Sequence, residues 1–258
     1  MDAGDSTIST TADGSNPTLG SSGAQISHEK REANESGTVL SHRSLLQADA
    51  FCDAIIRDLP SDEFGDAFRS LGLTHVSFWI QRDPDGALAR WEGADIDTLF
   101  ERFAASSNPV LVRWRGRLRV FSGPQEAESF WEASRDRLLS WATDEQGAES
   151  EITVYRGAEQ VEAYRQMACD VQADPALYSL LGRVRGRQGF TRVETWQQRG
   201  DDDLIMTLLE ANNLEDALAQ RQAESNEFDQ RIMKLLRSMI LQAPIPPSTA
   251  TLLGHWHA

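Results

Sequence analysis

Lysine is nearly missing from this chain. Only Lys30 and Lys234 occur among 25 basic residues, so arginine supplies almost all the positive charge against 40 Asp and Glu, for a net charge of −15. That balance works against nonspecific binding to nucleic acid or to an anionic membrane, since both are polyanions. The arginine bias suits a high-GC genome or a salty cytoplasm and says nothing about fold. Cysteine is also scarce. Two residues, Cys52 and Cys169, exclude a disulfide-dense secreted scaffold. No stretch approaches the ~18 apolar residues of a membrane-spanning helix, and the N-terminus has no apolar signal-peptide core, so a cytoplasmic protein is expected. No P-loop, dinucleotide fingerprint, Ser-His-Asp signature or zinc-finger spacing is present. The motifs therefore predict no cofactor and no metal.

What the sequence does contain is a phrase stated twice. Gly72-Leu73-Thr74-His75-Val76-Ser77-Phe78-Trp79-Ile80-Gln81-Arg82 returns, shifted from 72 to 189, as Gly189-Phe190-Thr191-Arg192-Val193-Glu194-Thr195-Trp196-Gln197-Gln198-Arg199. Gly, Thr, Val, Trp, Gln and Arg are shared. Ala105-Ser106-Ser107-Asn108 is echoed at nearly the same offset by Ala223-Glu224-Ser225-Asn226. Echoes in register mark a duplicated module. Cys52 and Cys169 keep the same spacing, each followed by Asp, and are expected as free thiols on the outer helices of separate modules. The organisation this predicts is a disordered tail over 1–36, a first module over 37–145 and a second over 150–258.

Module one opens on a strand over 38–42. Ser44 is expected to cap a helix burying Leu46, Ala50, Phe51, Ala54 and Ile55, and a second helical stretch carrying Phe64, Phe68 and Leu71 stops at Gly72. The repeated strand then sets Val76, Phe78 and Ile80 on one face and His75, Ser77, Trp79 and Gln81 on the other. Asp83-Pro84-Asp85-Gly86 turns it into a second arm over 88–92, and Asp95 is expected to cap a helix burying Ile96, Leu99, Phe100 and Phe103. Over 110–121 the local signals conflict. Arginines alternating with Val110, Val112, Trp114, Leu118 and Val120 read as a strand, whereas Asn108-Pro109 reads as a helix start. The counterpart over 226–240 is an amphipathic helix, and the repeat decides for helix. Closing strands over 138–141 and 252–256 match each other. Module two repeats the order, with a turn at 200–203 and an extended connector over 243–247.

Strand, helix, hairpin, helix, strand is the split βαβ, ferredoxin-like order. The predicted fold is α+β: two ferredoxin-like modules fused as an internal pseudo-dimer, antiparallel sheets facing each other and helices outside. At this point the sequence resembles the dimeric α/β-barrel superfamily. More narrowly, Ala104-Ala105-Ser106-Ser107-Asn108-Pro109 with Arg113-Trp114, after a strand ending in Gln81, resembles a family of small single-module proteins. The resemblance covers roughly residues 70–120 well and 189–240 more weakly. It rests on packing and turn motifs, so it implies a fold and no reaction. The superfamily includes cofactor-independent oxygenases, haem-degrading oxygenases and ligand-binding proteins.

In such folds the helix-free face of the sheet lines the cavity, which points to His75, Trp79 and Gln81, and to Arg192, Glu194, Trp196 and Gln198. Trp beside Gln offers a flat apolar wall and an amide, enough to hold a small planar ligand, although both would equally fill an interface between modules. His75 is the candidate general base, with an unperturbed pKa of ~6.5, and it has no counterpart in module two, where Arg192 stands. Glu92 and Glu210 end matching strands and read as solvated residues. His255 and His257 share one face of a strand, a metal-like pair lacking a third ligand nearby in sequence, and a fraying terminus accounts for them. Arg113, Arg115, Arg117 and Arg119, and Arg183, Arg185 and Arg187, read as solvated and locally paired rather than as grips for phosphate or RNA. The leading expectation is a small-ligand-binding or structural protein. The alternative is a cofactor-independent oxygenase or isomerase acting on a small planar aromatic substrate. The expected assembly is a monomer with an internal pseudo-twofold, or a weak homodimer.

Overall fold

The computed structural model describes residues 37–123, 132–134, 136–198, 204–224, 226–239 and 246–258. In chain order these form β1 (Gly37–Ser44), α1 (Ala48–Asp58), α2 (Asp62–Ser70), β2 (Leu73–Gln81), β3 (Gly86–Gly93), α3 (Leu99–Ala105), α4 (Pro109–Ser122), β4 (Glu132–Ser134) and β5 (Asp136–Ala142). Then follow β6 (Glu149–Tyr155), α5 (Ala158–Ala173), α6 (Pro175–Arg187), β7 (Phe190–Gln198), β8 (Leu204–Ala211), α7 (Leu214–Ala223), α8 (Glu227–Met239) and β9 (Ser248–His257). The expected tail over 1–36, the turn at 200–203 and most of the 243–247 connector lie outside the described residues.

Local chemistry accounts for most boundaries. The disputed stretch is the helix α4: Asn108 Oδ1 accepts from the Val110 amide at 2.9 Å and Pro109 occupies the first turn. Its buried residues are Leu111, Trp114, Leu118 and Phe121, a helical spacing that leaves the intervening arginines outside. Two expected caps are corrected. Ser44 pairs with Gly86 as the last residue of β1, so α1 starts only at Ala48, behind a Gln47 that makes no capping bond. As a result Leu46 is 75% exposed and Ala50 faces solvent, while Ala48, Phe51, Ala54 and Ile55 form the buried side. Asp95 also makes no capping bond. It takes a left-handed φ of 53° and turns the chain into a short 3-10 segment, Ile96–Thr98, ahead of α3.

The nine strands among the described residues belong to one antiparallel sheet, in the order β4-β1-β3-β2-β9-β6-β8-β7-β5. The halves are joined edge to edge by their closing strands. β9 lies between β6 and β2, with Ser248 to Thr251 along β6 and Ala250 opposite Gln81 through His257 opposite His75 along β2. β4 pairs with β1, and after residue 135 the chain continues as β5 along β7. β4 and β5 therefore sit at the two ends of the strand order yet are consecutive in the chain, which brings the ends together and curls the sheet into a barrel.

Three apolar layers result. Outside the first half of the sheet, Phe51, Phe64, Phe68, Phe78, Trp91, Trp114 and Trp256 pack beneath α1, α2 and α4. Outside the second, Leu139, Val171, Leu181, Val184, Phe228 and Leu236 do the same under α5, α6 and α8. The closing strands each press a tryptophan against a helical glycine: a Cβ on Gly65 would lie 2.7 Å from Trp256 Nε1, and one on Gly182 2.6 Å from Trp141 Nε1. The third layer fills the barrel, where Trp79 and Trp196 meet Leu40, Leu88, Ile152, Val154, Leu204, Met206 and Leu208.

Candidate functional site at one end of the barrel

Alternation along β2 sends Val76, Phe78 and Ile80 to the helical side and His75, Ser77 and Trp79 into the barrel, as expected from the sequence. Beyond the apolar plug, the interior turns polar at the end where β2, β3, β8 and β9 meet. A cleft there is lined by His75, Ser77, Trp79, Arg90, Ser150, Glu210 and His255, and by residues 146–148 of the connection between β5 and β6. Its volume is about 10 Å³, room for roughly one water. Gly147 donates its amide to Glu210 Oε1 at 2.7 Å, which holds this connection against the cleft.

Strand pairing brings three histidines to that end of the barrel, two of which, His75 and His255, line the cleft. His257 lies opposite His75 and His255 opposite Ser77, so all three imidazoles share the interior face. His75 Nδ1 is 2.8 Å from His257 Nδ1, and His75 Nε2 is 2.5 Å from Ser77 Oγ. The His255 ring stacks on that of His75 with centroids 6.2 Å apart. Burial holds the His75 pKa down to about 3, helped by His257, Arg90, His255 and Arg192. His75 is therefore a neutral imidazole at physiological pH. His257 is lowered too, by desolvation and His255, against an opposing pull from Glu92 and Glu210. The C-terminal strand is paired to its end, with the Ala258 amide on Thr74 O at 2.9 Å. This corrects the reading of His255 and His257 as a frayed pair, because the third imidazole is distant in sequence and adjacent across the sheet. Among the described residues no group of three or more His, Cys, Asp or Glu side chains is arranged to hold a metal.

Behind the histidines lies an ionic cluster centred on Glu194, which is fully buried. Its Oε1 meets Arg192 Nη1 at 3.2 Å, Arg90 Nη2 at 3.4 Å and Arg137 Nη1 at 3.5 Å, and its Oε2 accepts from Trp196 Nε1 at 3.1 Å. Arg90 also pairs with Glu92, and Arg192 Nε approaches Glu210 Oε2 at 3.5 Å. Glu210, expected to be solvated, is 7% exposed because its oxygens are drawn inward by Gly147 and Arg192. Arg90 lines the cleft, and its Nε has no partner among the described residues.

The residues singled out from sequence thus divide. His75, Arg192, Glu194 and Trp196 gather at the polar end. Trp79 borders it, donating Nε1 to Ser150 Oγ at 3.1 Å. Gln81 is elsewhere, giving Nε2 to Pro84 O at 3.0 Å and receiving Arg156 at 3.3 Å, a structural role at the hairpin. Gln198 is buried at the far end of β7. Sequence reading passed over Arg90 and Arg137. Arg90 was reachable, since it alternates with Leu88 on the arm that pairs with the repeated strand. Arg137 was not, because its neighbours depend on the crossing of β5 to β7. Of the other arginines, Arg113 pairs with Glu63 at 3.5 Å and Arg117 with Asp58, whereas Arg115 donates to the carbonyls of Phe103 and Ser106, and Arg185, expected to be solvated, is buried against Asp229 at 2.5 Å. Cys52 and Cys169 are free, on α1 and α5, and burial raises the Cys52 pKa. No described helix is long and apolar enough to cross a membrane.

No protein-family model and no curated protein matches the sequence. Among solved structures, the chain is similar to a "Putative monooxygenase" from Fusobacterium nucleatum, with 8% identity and TM-score 0.53 over 88% of this chain and 96% of that one. A "putative monooxygenase" from Lactobacillus acidophilus gives 8% and 0.47 over 86% and 96%. An "anthrone oxidase-like protein" gives 10% and 0.44 over 88% and 94%. Of the three, the Fusobacterium protein is near enough to bear on architecture, and at that identity it speaks for fold alone. The fold is α+β, a curled antiparallel sheet with helices on its outer side, and the Fusobacterium protein shares that architecture.

Proposed function

We propose that the chain is two ferredoxin-like modules, 37–145 and 150–258, fused as an internal pseudo-dimer, and that the His75 end of their shared barrel transfers protons. On this reading it is a cofactor-independent oxygenase or isomerase for a small planar aromatic substrate. Several correspondences support the duplication. The β2–β3 ladder slips between Leu73 and His75, and the β7–β8 ladder between Phe190 and Arg192. The two bypassed threonines make matching bonds, Thr74 Oγ1 to Glu92 O at 3.3 Å and Thr191 Oγ1 to Glu210 O at 3.2 Å. Gly65 with Trp256 repeats as Gly182 with Trp141. The protein would act in the cytoplasm as a monomer with an internal pseudo-twofold, or as a weak homodimer, without nucleic acid or membrane.

One observation carries the chemistry. Of five histidines in the chain, three pack together at one end of the barrel, His75 and His255 lining the cleft and the exposed His257 against His75, and the matching positions on β7 and β5 hold Arg192, Ser140 and Ala142 instead. A pseudo-symmetric barrel with its histidines in one half has one site rather than two. A neutral His75, hydrogen-bonded through Nε2 to Ser77 and through Nδ1 to His257, can take up a proton from a phenolic O–H or an acidic C–H by way of Ser77 while releasing its own at the other nitrogen, so that no imidazolium is left. Arg90, with its unpaired Nε, lies where the resulting oxyanion would be stabilised. Such an anion either takes its proton back at another carbon or reacts with dioxygen, which separates isomerase from oxygenase. The name of the Fusobacterium neighbour is in keeping with the second. Access requires residues 146–148 to move off the cleft.

The volume of the cleft favours the second reading, a structural or ligand-binding barrel in which Trp79 and Trp196 are filling. Oxygen uptake measured with a panel of planar phenols and aryl ketones separates the two. The catalytic reading expects uptake or isomerisation that falls about 10²–10⁴-fold in His75→Gln. Binding without turnover, equal in both proteins, would leave the structural reading.

A further inference from the structure

Resting on the proton-transfer reading of this cleft, we propose that Ser77, His75 and His257 form a proton relay from the barrel interior to solvent, with His257 acting through His75. The three groups are in line: Ser77 Oγ to His75 Nε2 at 2.5 Å, then His75 Nδ1 to His257 Nδ1 at 2.8 Å. Exposure rises along the same line. Ser77 and His75 are buried, whereas His257 is exposed. Ser77 and His75 line the cleft, so the inner end of the relay meets whatever occupies it.

The proton count fixes the tautomers. Two neutral imidazoles facing each other through Nδ1 share one proton, so one donates and the other accepts. With the proton on His75 Nδ1, His75 Nε2 accepts from the Ser77 hydroxyl and His257 carries its proton on Nε2. A proton arriving at Ser77 Oγ then pushes the hydroxyl proton onto His75 Nε2. The Nδ1 proton of His75 passes to His257 Nδ1, and the Nε2 proton of His257 passes to water. One proton enters, one leaves, and both imidazoles end neutral in the opposite tautomer. No group holds a net charge afterwards, which matters because burial and the neighbouring Arg90 and Arg192 penalise an imidazolium on His75. His255 stacks on His75 but shares no hydrogen bond between ring nitrogens with it, so it lies beside the relay and not in it.

The test uses the full chain with ¹⁵N-labelled histidine, read by long-range ¹⁵N–¹H spectra and by exchange of the His75 ring proton with water. Wild type is expected to show His75 neutral, with an exchanging ring proton. In His257→Gln an amide replaces the imidazole; it keeps a hydrogen-bonding partner but cannot change tautomer, and exchange should slow about tenfold or more. His255→Gln should leave the rate unchanged. An unchanged rate in His257→Gln, or an equal slowing in both variants, overturns the relay. The relay and the catalytic reading fail separately. Slowed exchange beside unaffected chemistry in His75→Gln removes the catalytic reading alone. Unaffected exchange beside chemistry lost in His75→Gln removes the relay alone.

Discussion

Replacing Glu194 by Gln keeps the shape of the side chain and removes the charge that three guanidiniums surround. Arg192, Arg90 and Arg137 lie 3.2, 3.4 and 3.5 Å from Glu194 Oε1, and the carboxylate is fully buried. Deleting one partner of a buried ionic group typically costs ~3–5 kcal/mol, because the remaining charges stay buried without compensation. Arg90 is buried and would lose most. Arg137 is partly exposed and recovers some hydration, so the lower half of that range is expected for its share. The loss is measured as the shift in urea midpoint at constant m-value, with a fall in melting temperature of roughly 10 °C for a domain of this size. A cost below ~1 kcal/mol would show that the cluster is solvated and that the interior of the barrel is wet.

Trp79→Ala should cost ~3–5 kcal/mol, since the ring is buried in the barrel plug, and a cost under ~1.5 would mean it borders open space. Folding stability should decline as pH falls from about 6.5 toward 3 and then level off, because the unfolded chain protonates His75 and His42 near 6.5 whereas the folded one holds them to about 3 and about 4. The slope should flatten in His75→Gln; an identical slope would assign the acid sensitivity to carboxylates. Gly65→Ala should destabilise by ~1–3 kcal/mol through its contact with Trp256, and Gly182→Ala by less, because Trp141 is less buried. A gain of ~1 kcal/mol, the ordinary benefit of Ala in a helix, would show that the tryptophans are not seated there. A thiol titration of native protein under non-reducing conditions should find two free thiols, and one or none would mean oxidation or pairing.

The fold was legible wherever a local period and the repeat agreed. Strand alternation placed Val76 and Trp79 on opposite sides of the sheet, and Asn108-Pro109 with its counterpart settled α4 against a strand-like run of arginines. Caps were less legible. Ser44 and Asp95 have the right side chains, but ladder pairing with Gly86 claimed the first and a left-handed turn the second. The candidate site was half visible. His75 and Glu194 lie on the repeated strand, where alternation finds them. His257 and Arg137 reach the site only because each closing strand crosses to the other half of the sheet, a long-range pairing that no local pattern encodes. Gln81 was drawn in by the same alternation that found Trp79, yet it sits where the strand turns, and the hairpin carbonyl of Pro84 takes its amide.

Proton abstraction at His75 is tested most directly by hydrogen–deuterium exchange at the acidic C–H of a planar aryl ketone in D₂O, followed by NMR with wild type and His75→Gln. This reports the proton step whether or not oxygen or isomerisation follows. The account predicts enzyme-dependent deuterium incorporation that drops about 10²-fold or more in the variant, with the stability of the two proteins compared by urea unfolding. Incorporation at the same rate in both proteins, or none above solvent background with any compound that binds, would contradict it.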